Sequence, residues 1–362
     1  MKILFISRAT LYKDTGGDTI QIVNTARYLE KIGVQSTIKL CNEKIDYIGY
    51  DLIHFFNIIR PADILIHIEK SQKPYVVSTI YVDYSEFEKK MRTGIAGFFF
   101  KLFSTDLIEY AKVIGRALAN GEKIISPSYL FLGQKKSIRK IVKGAAMLLP
   151  NSKNEYNRLQ LHYKVSNAYS VIPNAIDPTL FRRPSNRVIR DERLIICVGR
   201  IEGRKNQLNL IRALNETIYQ LIIIGSPSAN QINYYNSCKT NAGSNITFVN
   251  GLTQEALLDY YKKAKVHVLP SWFETTGLSS LEAAAMGCNI VITDKGDTKE
   301  YFEEYAYYCD PGSPASILEA VKKAASEEFN EQLREKIFTH YTWQITAQET
   351  LKAYHKIMGQ MN

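Results

Sequence analysis

Short apolar runs recur along the chain, separated by longer stretches in which apolar and polar positions alternate with a helical period. The runs are KILFIS (2–7), DLIHFF (51–56), PYVVSTI (74–80), KIISPS (123–128), AMLLPNS (146–152), RLIICVG (193–199), YQLIIIGS (219–226), NITFVNG (245–251), VHVLPS (266–271) and NIVIT (289–293). Continuous apolar runs are typical of strands buried on both faces, and their alternation with helices predicts parallel sheets.

Two segments illustrate the predicted helices. TIQIVNTARYLEKIG (19–33) carries apolar residues at helical spacing and ends at a glycine, and RIEGRKNQLNLIRAL (200–214) supplies a loop and then a helix. The strand-helix order therefore occurs twice, which predicts two Rossmann-like, doubly wound α/β domains. We place the first in residues 1–183 and the second in 184–342, joined around VIPNAIDPTLFRRPSNRVIRDE (171–192).

Composition agrees with two ordinary cores, since 45% of the 362 residues are apolar and 23% are charged. The five cysteines are scattered and never spaced C-x-x-C, which argues against a disulfide framework and a zinc site. No apolar run approaches the ~18 residues of a membrane span, and the first ten residues lack the hydrophobic region of a signal peptide. We therefore expect a cytoplasmic protein.

The net charge of +10 is concentrated in one window. Residues 89–143 contain twelve Lys or Arg and three acids, a balance of +9, and IAGFFFKLF (95–103) forms an apolar stripe beside several of these cations. This pattern is typical of a helix that lies on an anionic membrane surface, although an ordinary helix with a solvated basic face gives the same pattern.

The stretch VLPSWFETTGLSSLEAAAMGCNIVIT (268–293) carries the candidate chemistry. It predicts a buried strand, a loop, a helix over about 278–286 with Thr276 or Gly277 near its N-cap, and a second strand. The amides at the start of such a helix favour a phosphate. Glu282, inside the helix, can accept hydrogen bonds from vicinal hydroxyls such as those of a ribose, and Glu274 can do so for a second polyol. Open parallel sheets bind ligands at the carboxyl ends of their strands, and we expect two such domains to face each other across a cleft there.

These residues resemble the E-x7-E signature of the retaining glycosyltransferases with the two-Rossmann GT-B fold, usually numbered family 4. VGRIEGRKN (198–206) resembles the donor-phosphate loop of that family, TGGDTIQI (15–22) its N-terminal glycine loop, and VIPNAIDPTLF (171–181) its interdomain crossing. YTWQITAQETLKAYHKIM (341–358) resembles its closing helix, so residues 343–362 are expected to return to the first domain.

The resemblance implies roles for individual residues. Those implied to act on the leaving group and the transferred sugar are Arg200, Lys205 and Glu274. Those implied to bind the donor, through the ribose, the phosphates or the base, are Glu282, Thr276, Gly277, Leu278, Gly16, Gly17, Gly225 and Val249. The chain contains no D-x-D motif, so we expect neither a metal nor another cofactor, with the fixed cations neutralising the diphosphate.

On the acceptor side the chain departs from the family pattern. Tyr81 stands where members often carry a His, Asp83 follows two residues later, and Asp18 lies in the glycine loop. A tyrosine is a poor base at neutral pH, because its ordinary pKa is about 10. In a retaining enzyme the leaving phosphate can take the acceptor proton, so the missing His is tolerable.

The expected function is that of a retaining, metal-independent glycosyltransferase of hexosyltransferase type. It moves a sugar from a nucleotide diphosphate-sugar to an acceptor hydroxyl, in building a capsule, an O-antigen or another cell-surface polysaccharide. The expected acceptor is a carbohydrate or a lipid-linked sugar, with residues 89–143 attaching the enzyme peripherally to the inner face of the membrane. Two alternatives stay open: a nucleotide-sugar 2-epimerase, and a non-catalytic protein that binds polyanions or membrane surfaces. Specific binding to nucleic acid is not expected, and the sequence leaves the base, the sugar, the acceptor and the oligomeric state undetermined.

Overall fold

The chain forms two compact units. The computed structural model describes residues 1–83, 106–107, 110–111, 115, 126–182, 189–228 and 230–361, with side chains to 359. Unit 1 comprises Met1–Pro173 together with Gln344–Asn362, and unit 2 comprises Asn174–Trp343. The sequence boundary proposed at 183 therefore lies ten residues inside unit 2.

Unit 1 is built on a parallel sheet with the strand order β2-β1-β3-β4-β5. Its described strands are β1 (Lys2–Ser7), β2 (Gln35–Leu40), β3 (Leu52–Phe56), β4 (Tyr75–Ser78) and β5 (Met147–Leu148). Its described helices are α1 (Gly17–Lys31), α2 (Pro61–Ser71), α3 (Pro127–Gly144), α4 (Lys153–Tyr163) and the C-terminal α12 (Trp343–Met361).

A buried histidine joins the C-terminal helix to the sheet of unit 1. His54 on β3 lies with Nδ1 2.7 Å from the hydroxyl of Tyr354 on α12 and with Nε2 2.8 Å from the hydroxyl of Ser78 on β4. Its ring stacks on Phe56 at 4.2 Å. Burial lowers the pKa of His54 to about 3, so the imidazole is neutral at physiological pH.

Unit 2 is a six-stranded parallel sheet with helices on both faces. Its strands are β6 (Asp191–Val198), β7 (Gln220–Ile224), β8 (Ile246–Val249), β9 (Ala264–Leu269), β10 (Asn289–Thr293) and β11 (Tyr307–Cys309). Its described helices are α5 (Gln207–Leu214), α6 (Ile232–Asn241), α7 (Gln254–Lys263), α8 (Leu278–Ala285), α9 (Thr298–Phe302), α10 (Pro314–Ser326) and α11 (Glu331–His340).

Alternate residues of β6 enter two separate cores. Ile195 and Cys197 pack with residues of α5 and α10, whereas Ile196 and Val198 pack with residues of α8 and α11. This two-sided burial explains the continuous apolar run, because a strand covered on both faces has no solvent-facing positions.

The strand order of unit 2 is β8-β7-β6-β9-β10-β11, the doubly wound order 3-2-1-4-5-6. Its order reverses between the central strands β6 and β9, which pair in parallel through Ile195 with Val266 and Ile196 with His267. Chain connections leave this point in opposite directions and open a crevice at the carboxyl ends of the two strands. The loops that carry the candidate residues follow these two strands.

Nine of the ten predicted strand runs contain a strand among the described residues. In the tenth, KIISPS, residues 123–125 lie outside the described residues, and Pro127 and Ser128 form the first turn of α3. The prediction missed β2 and β11, which lie at edges of their sheets.

The basic window lies largely outside the described residues, including the apolar stripe 95–103. Within the part of the chain that the structure describes, no helix combines the length and the apolar character needed to cross a bilayer.

Candidate functional site

The start of α8 adopts the predicted geometry. Gly277 is the N-cap, Ala285 is the last helical residue, and Gly287 follows with a left-handed φ of 90°. The carbonyl of Gly277 accepts hydrogen bonds from the N–H groups of Ser280 (2.8 Å) and Leu281 (3.0 Å). The amides of Leu278 and Ser279 belong to the first turn of this helix, which is the position from which a helix binds an anion.

Position 277 requires a glycine for two reasons. Its φ of 75° lies in the left-handed region of backbone conformation, which residues other than glycine rarely adopt. A Cβ there would also lie 3.0 Å from Cδ1 of Ile292 and 3.3 Å from Oγ of Ser280. The neighbouring Thr276 is buried, and its hydroxyl accepts a 3.1 Å hydrogen bond from the Asn174 side chain.

Glu274 lies beside this helix start in an ion pair with a second predicted residue. The side chain of Glu274 is 8% exposed, and its Oε1 accepts hydrogen bonds from Nζ of Lys205 and from the hydroxyl of Ser271 at 2.6 Å. Its backbone is fixed as well, since its N–H donates to the carbonyl of Lys295 at 3.1 Å and its carbonyl accepts from the N–H of Asp297 at 2.9 Å. The structure therefore brings Lys205 and Glu274, 69 residues apart in sequence, into direct contact.

The loop after β6 holds several cations around one buried acid. Glu202 lies 3.5 Å from the guanidinium of Arg200 and 3.2 Å from that of Arg204, and it accepts a 3.2 Å hydrogen bond from Ser228. Burial raises the pKa of Glu202, but the charges of Arg204, Arg200 and Lys205 outweigh it and hold the pKa below its ordinary value. Sequence reasoning missed this acid, because nothing in its local pattern showed that the cations fold around it.

Gly225 supports that loop from the end of β7. A Cβ on Gly225 would overlap the carbonyl of Gly199, so a larger residue would push the two loops apart. Its N–H donates to the carbonyl of Val249 at the end of β8 at 3.0 Å. Gly225 and Val249, both predicted to lie near the base, thus occupy adjacent strand ends.

Glu282 lies one turn inside α8 and has neutral partners, whereas Glu274 pairs with a cation. Glu282 is 6% exposed; its Oε1 accepts from Nε2 of Gln254 at 2.5 Å, and its Oε2 accepts from the hydroxyl of Tyr261 at 3.0 Å. Burial raises the pKa of Glu282 to about 7, although both hydrogen bonds favour the ionised form. A substantial fraction is therefore protonated at neutral pH when no ligand is bound.

The glycine loop of unit 1 begins α1 and is closed by an arginine. Gly16 is the N-cap and Gly17 the first helical residue. The Asp18 carboxylate accepts from Arg8 at 2.6 Å and 3.0 Å, and the same guanidinium donates to the carbonyls of Thr10 and Asp14. Asp18 thus holds the loop as a partner of Arg8, and its acceptor role stays a prediction.

Tyr81 is buried in unit 1 and its hydroxyl lies 2.6 Å from Nδ1 of His162. Burial, together with the nearby carboxylates of Asp83 and Asp106, raises its pKa above the ordinary value, so the phenol is not a base at neutral pH. Its backbone N–H donates to Glu155 at 2.9 Å. Asp83 is half-buried two residues further on.

Glu155 is a second acid that sequence reasoning missed. It is fully buried and accepts from the hydroxyl of Thr79 and from the N–H of Asn151 at 3.0 Å, while its own N–H donates to the Ser152 hydroxyl at 2.9 Å. The order Ser-x-x-Glu at 152–155 is the pattern of a capping box and was the available signal.

In unit 2, the residues predicted to be catalytic or to bind the donor lie on the loops after β6, β7 and β9, at the last residue of β8, and on α8. The predicted residues of unit 1 form a separate set after β1 and β4. Among the described residues, no group of three His, Cys, Asp or Glu side chains is arranged to hold a metal ion. None of the five cysteines, all of which are described, forms a disulfide.

Comparison with known proteins links unit 2 to an enzyme family. Residues 180–339 match the family model of glycosyl transferases group 1. An uncharacterized glycosyltransferase of Methanocaldococcus jannaschii is 29% identical over 192 residues, which cover 50% of this chain and 49% of that protein. The chain thus matches about half the length of this curated relative.

Two solved structures share the fold. A sucrose-phosphate synthase from Thermosynechococcus elongatus has a TM-score of 0.76 at 16% identity, covering 99% of this chain and all of that one. HepE from Anabaena, in complex with UDP and glucose, has a TM-score of 0.70 at 14% identity, covering 98% of this chain and all of that one. The fold is that of the GT-B glycosyltransferases.

Proposed function

We propose that the protein is a retaining glycosyltransferase that moves a sugar from a nucleotide diphosphate-sugar to an acceptor hydroxyl. The observation that carries the proposal is the cation set at the switch point of unit 2. Arg200 and Lys205 lie on the loop after β6, and Glu274 on the loop after β9 contacts Lys205. An anion that binds at the amides of Leu278 and Ser279 enters a site with fixed positive charge.

In the proposed reaction the bond between the anomeric carbon of the sugar and the diphosphate oxygen breaks. Arg200, Lys205 and the start of α8 stabilise the negative charge that develops on that oxygen. The acceptor hydroxyl attacks the same face of the sugar and transfers its proton to the leaving phosphate, so no protein base is required. Glu274, held by Lys205 and Ser271, accepts hydrogen bonds from hydroxyls of the transferred sugar.

The donor is proposed to carry a ribose that binds at Glu282, and UDP-sugars are the first candidates, since HepE was solved with UDP and glucose. Hexose transfer without a metal ion is part of the same proposal, because Arg200 and Lys205 supply the charge that a bound metal would otherwise provide.

The decisive experiment incubates the protein with a panel of nucleotide diphosphate-sugars, with and without carbohydrate and lipid-linked acceptors, and follows product by mass spectrometry and NMR. We expect transfer that keeps the anomeric configuration and continues in EDTA. An epimerised donor formed without any acceptor would identify a 2-epimerase instead, and loss in EDTA restored by Mg²⁺ would contradict the proposed phosphate site.

The acceptor is proposed to be a lipid-linked sugar used in cell-surface polysaccharide synthesis, reached from the cytoplasmic leaflet. Support comes from α3, which is kinked at Gly133: before the kink Phe131 is 90% exposed and Leu130 is 47% exposed, and the part after the kink exposes Lys136, Lys140 and Lys143. Exposed apolar side chains beside cations favour an anionic bilayer surface.

Co-sedimentation with anionic and neutral vesicles at low and high salt tests this attachment. The variant changes to Gln the basic cluster Lys135, Lys136, Lys140 and Lys143. Its control changes four unit 2 lysines to Gln, namely Lys262, Lys263, Lys322 and Lys323. We expect salt-sensitive binding to anionic vesicles that the first variant loses and the control keeps. Equal binding by both variants would contradict the proposed surface.

A further inference from the structure

Helix α7 holds both carboxylate oxygens of Glu282. Gln254 donates to Oε1 at 2.5 Å and Tyr261 donates to Oε2 at 3.0 Å. The two donors are seven residues apart, which is two helical turns, so they extend from the same face of α7. None of the residues singled out from the sequence lies on this helix.

The two donors differ in how firmly they are held. Tyr261 is fully buried; its carbonyl accepts from Arg190 at 2.7 Å and from the Cys288 thiol at 3.0 Å, and its ring packs against Phe181. Gln254 is the first residue of α7 and is half-buried. Tyr261 is therefore a rigid anchor, whereas Gln254 lies where the site meets solvent.

A carboxylate that binds two hydroxyls must be ionised and must keep its plane fixed. A protonated acid donates one hydrogen bond and loses acceptor capacity, and the burial of Glu282 favours that form. A donor at each oxygen counteracts burial and leaves each oxygen a further lone pair for a ligand hydroxyl.

We propose that Gln254 and Tyr261 are positioning residues of the nucleoside site, which orient the Glu282 carboxylate for a ribose and favour its ionised form. This inference rests on the proposed function. With this assignment α7 takes part in donor recognition, because Gln254 and Tyr261 contact Glu282 although they lie 28 and 21 residues before it in the sequence.

The titratable group in contact with Glu282 is the phenol of Tyr261. Two thiols, those of Cys197 and Cys288, interact with the same phenol, and burial raises their pKa to about 12 and about 11, so both are neutral. The imidazole of His267 on β9, whose ring lies 6.2 Å from that of Tyr261, is neutral as well, because burial lowers its pKa to about 3. The pH dependence of ligand binding in the test below therefore reports Glu282.

The test measures binding of a nucleoside diphosphate-sugar by calorimetry between about pH 6 and about pH 8, where its diphosphate does not titrate. The variants are Gln254→Leu, which removes the amide at similar volume, and Tyr261→Phe. Gln332→Leu is the control, an exposed glutamine in the first turn of α11. Thermal unfolding checks that each variant is folded.

We expect Gln254→Leu to weaken binding about tenfold at neutral pH, equivalent to about 1.4 kcal/mol. We also expect the pH at which binding reaches half its maximum to rise, because the lost donor favoured the ionised acid. Gln332→Leu should match the wild type in both respects. Gln254→Leu keeps the inference testable even if the buried Tyr261→Phe variant does not fold.

The outcomes separate the inference from the function on which it rests. If the wild type binds no member of a nucleotide-sugar panel, the proposed function fails. If the wild type binds and Gln254→Leu binds equally well with the same pH profile, the inference is wrong. Tighter binding by Gln254→Leu would overturn it too, because the glutamine would then compete with the ligand for Glu282.

Discussion

At the scale of single residues, two glutamates eight positions apart have different partners. Glu274 accepts from the ammonium of Lys205, while Glu282 accepts from the neutral donors Gln254 and Tyr261. Burial raises the pKa of Glu282 to about 7. Different environments for paired carboxylates indicate different tasks, which supports assigning Glu274 to the transferred sugar and Glu282 to the ribose.

The phosphate site is tested by removing its cations. We expect Arg200→Ala and Lys205→Ala each to lower transfer by ~10²-fold or more, because each loses a charged donor to the leaving group. Lys262→Ala is the control, since this lysine is also ion-paired in unit 2, but with Asp259 on the surface of α7. Steady-state kinetics and circular dichroism give the comparison; near-native turnover in both site variants would refute the assignment.

The division of labour between the glutamates is tested by isosteric amides. We expect Glu282→Gln to weaken binding of the free nucleoside diphosphate, because the ribose belongs to that ligand. Glu274→Gln should leave this affinity within about twofold of the wild type and depress transfer by ~10²-fold, the scale for a lost transition-state contact. Calorimetry and initial rates measure both. The same loss of nucleotide affinity in the two variants would rule out the division.

At the scale of elements, the site depends on two loops that begin at the ends of neighbouring strands. The loop after β6 carries the cations, and the loop after β9 carries Glu274 and the start of α8. The hydroxyl of Ser279 in α8 donates to the carbonyl of Val198 at the end of β6 at 2.9 Å, which joins the two elements. The loop after β6 is also supported from β7, because Gly225 at the end of β7 lies close to the Gly199 carbonyl at the start of that loop.

Gly225 is the position where that approach is tightest. We expect Gly225→Ala to destabilise the protein by about 1 to 3 kcal/mol, since its Cβ would overlap the Gly199 carbonyl, and to lower nucleotide affinity through displacement of the loop. Gly359→Ala is the control, because a Cβ on this helical glycine of α12 meets nothing within 4 Å. Thermal unfolding and calorimetry measure both effects, and a Gly225→Ala variant as stable as Gly359→Ala would contradict the expectation.

At the scale of the whole molecule, each unit encloses a neutral histidine. Burial lowers the pKa of His54 in unit 1 and of His267 in unit 2 to about 3, in the latter with help from the charge of Lys205. The unfolded chain binds a proton on each below about pH 6.5, but the folded chain does not, so stability falls as the pH drops from that value. Glu282 acts in the opposite direction between its ordinary pKa of about 4.5 and about 7, because there the folded state holds the extra proton.

The two effects offset each other in unit 2, which leaves His54 as a source of acid sensitivity in unit 1. We expect the free energy of unfolding to fall on acidification from about pH 7 to about pH 5, by up to about 1.4 kcal/mol per pH unit for one such histidine. His54→Gln should lessen this slope without abolishing it, whatever its effect on stability at pH 7, because burial also lowers the pKa of His67 in unit 1. His355→Gln, at an exposed position on α12, should keep the wild-type slope. Urea unfolding at several pH values measures the slopes, and equal slopes in the two variants would contradict this account.

The sequence alone determined the central strands and a helix over about 278–286, which the structure shows over 278–285, with Glu274 before it and Glu282 inside it. Strands buried on both faces need continuous apolar runs, and helix ends need particular residues. The edge strands β2 and β11 escaped prediction for the same reason. Most residues of β2 are half-buried and β11 is three residues long, so neither has such a run.

Only the tertiary structure decided which groups surround the candidate residues. Glu282 contacts Gln254 and Tyr261, and Glu274 contacts Lys205; no sequence pattern linked either glutamate to these partners. Glu202 lies beside Arg200. The contact between Lys205 and Glu274 arises because β6 and β9, which are distant in sequence, are adjacent in the sheet, and this brings the loops that follow them together at one edge. Burial in the folded protein also sets the pKa of Glu282, which depends on the surroundings of the carboxyl group and therefore cannot be derived from the sequence.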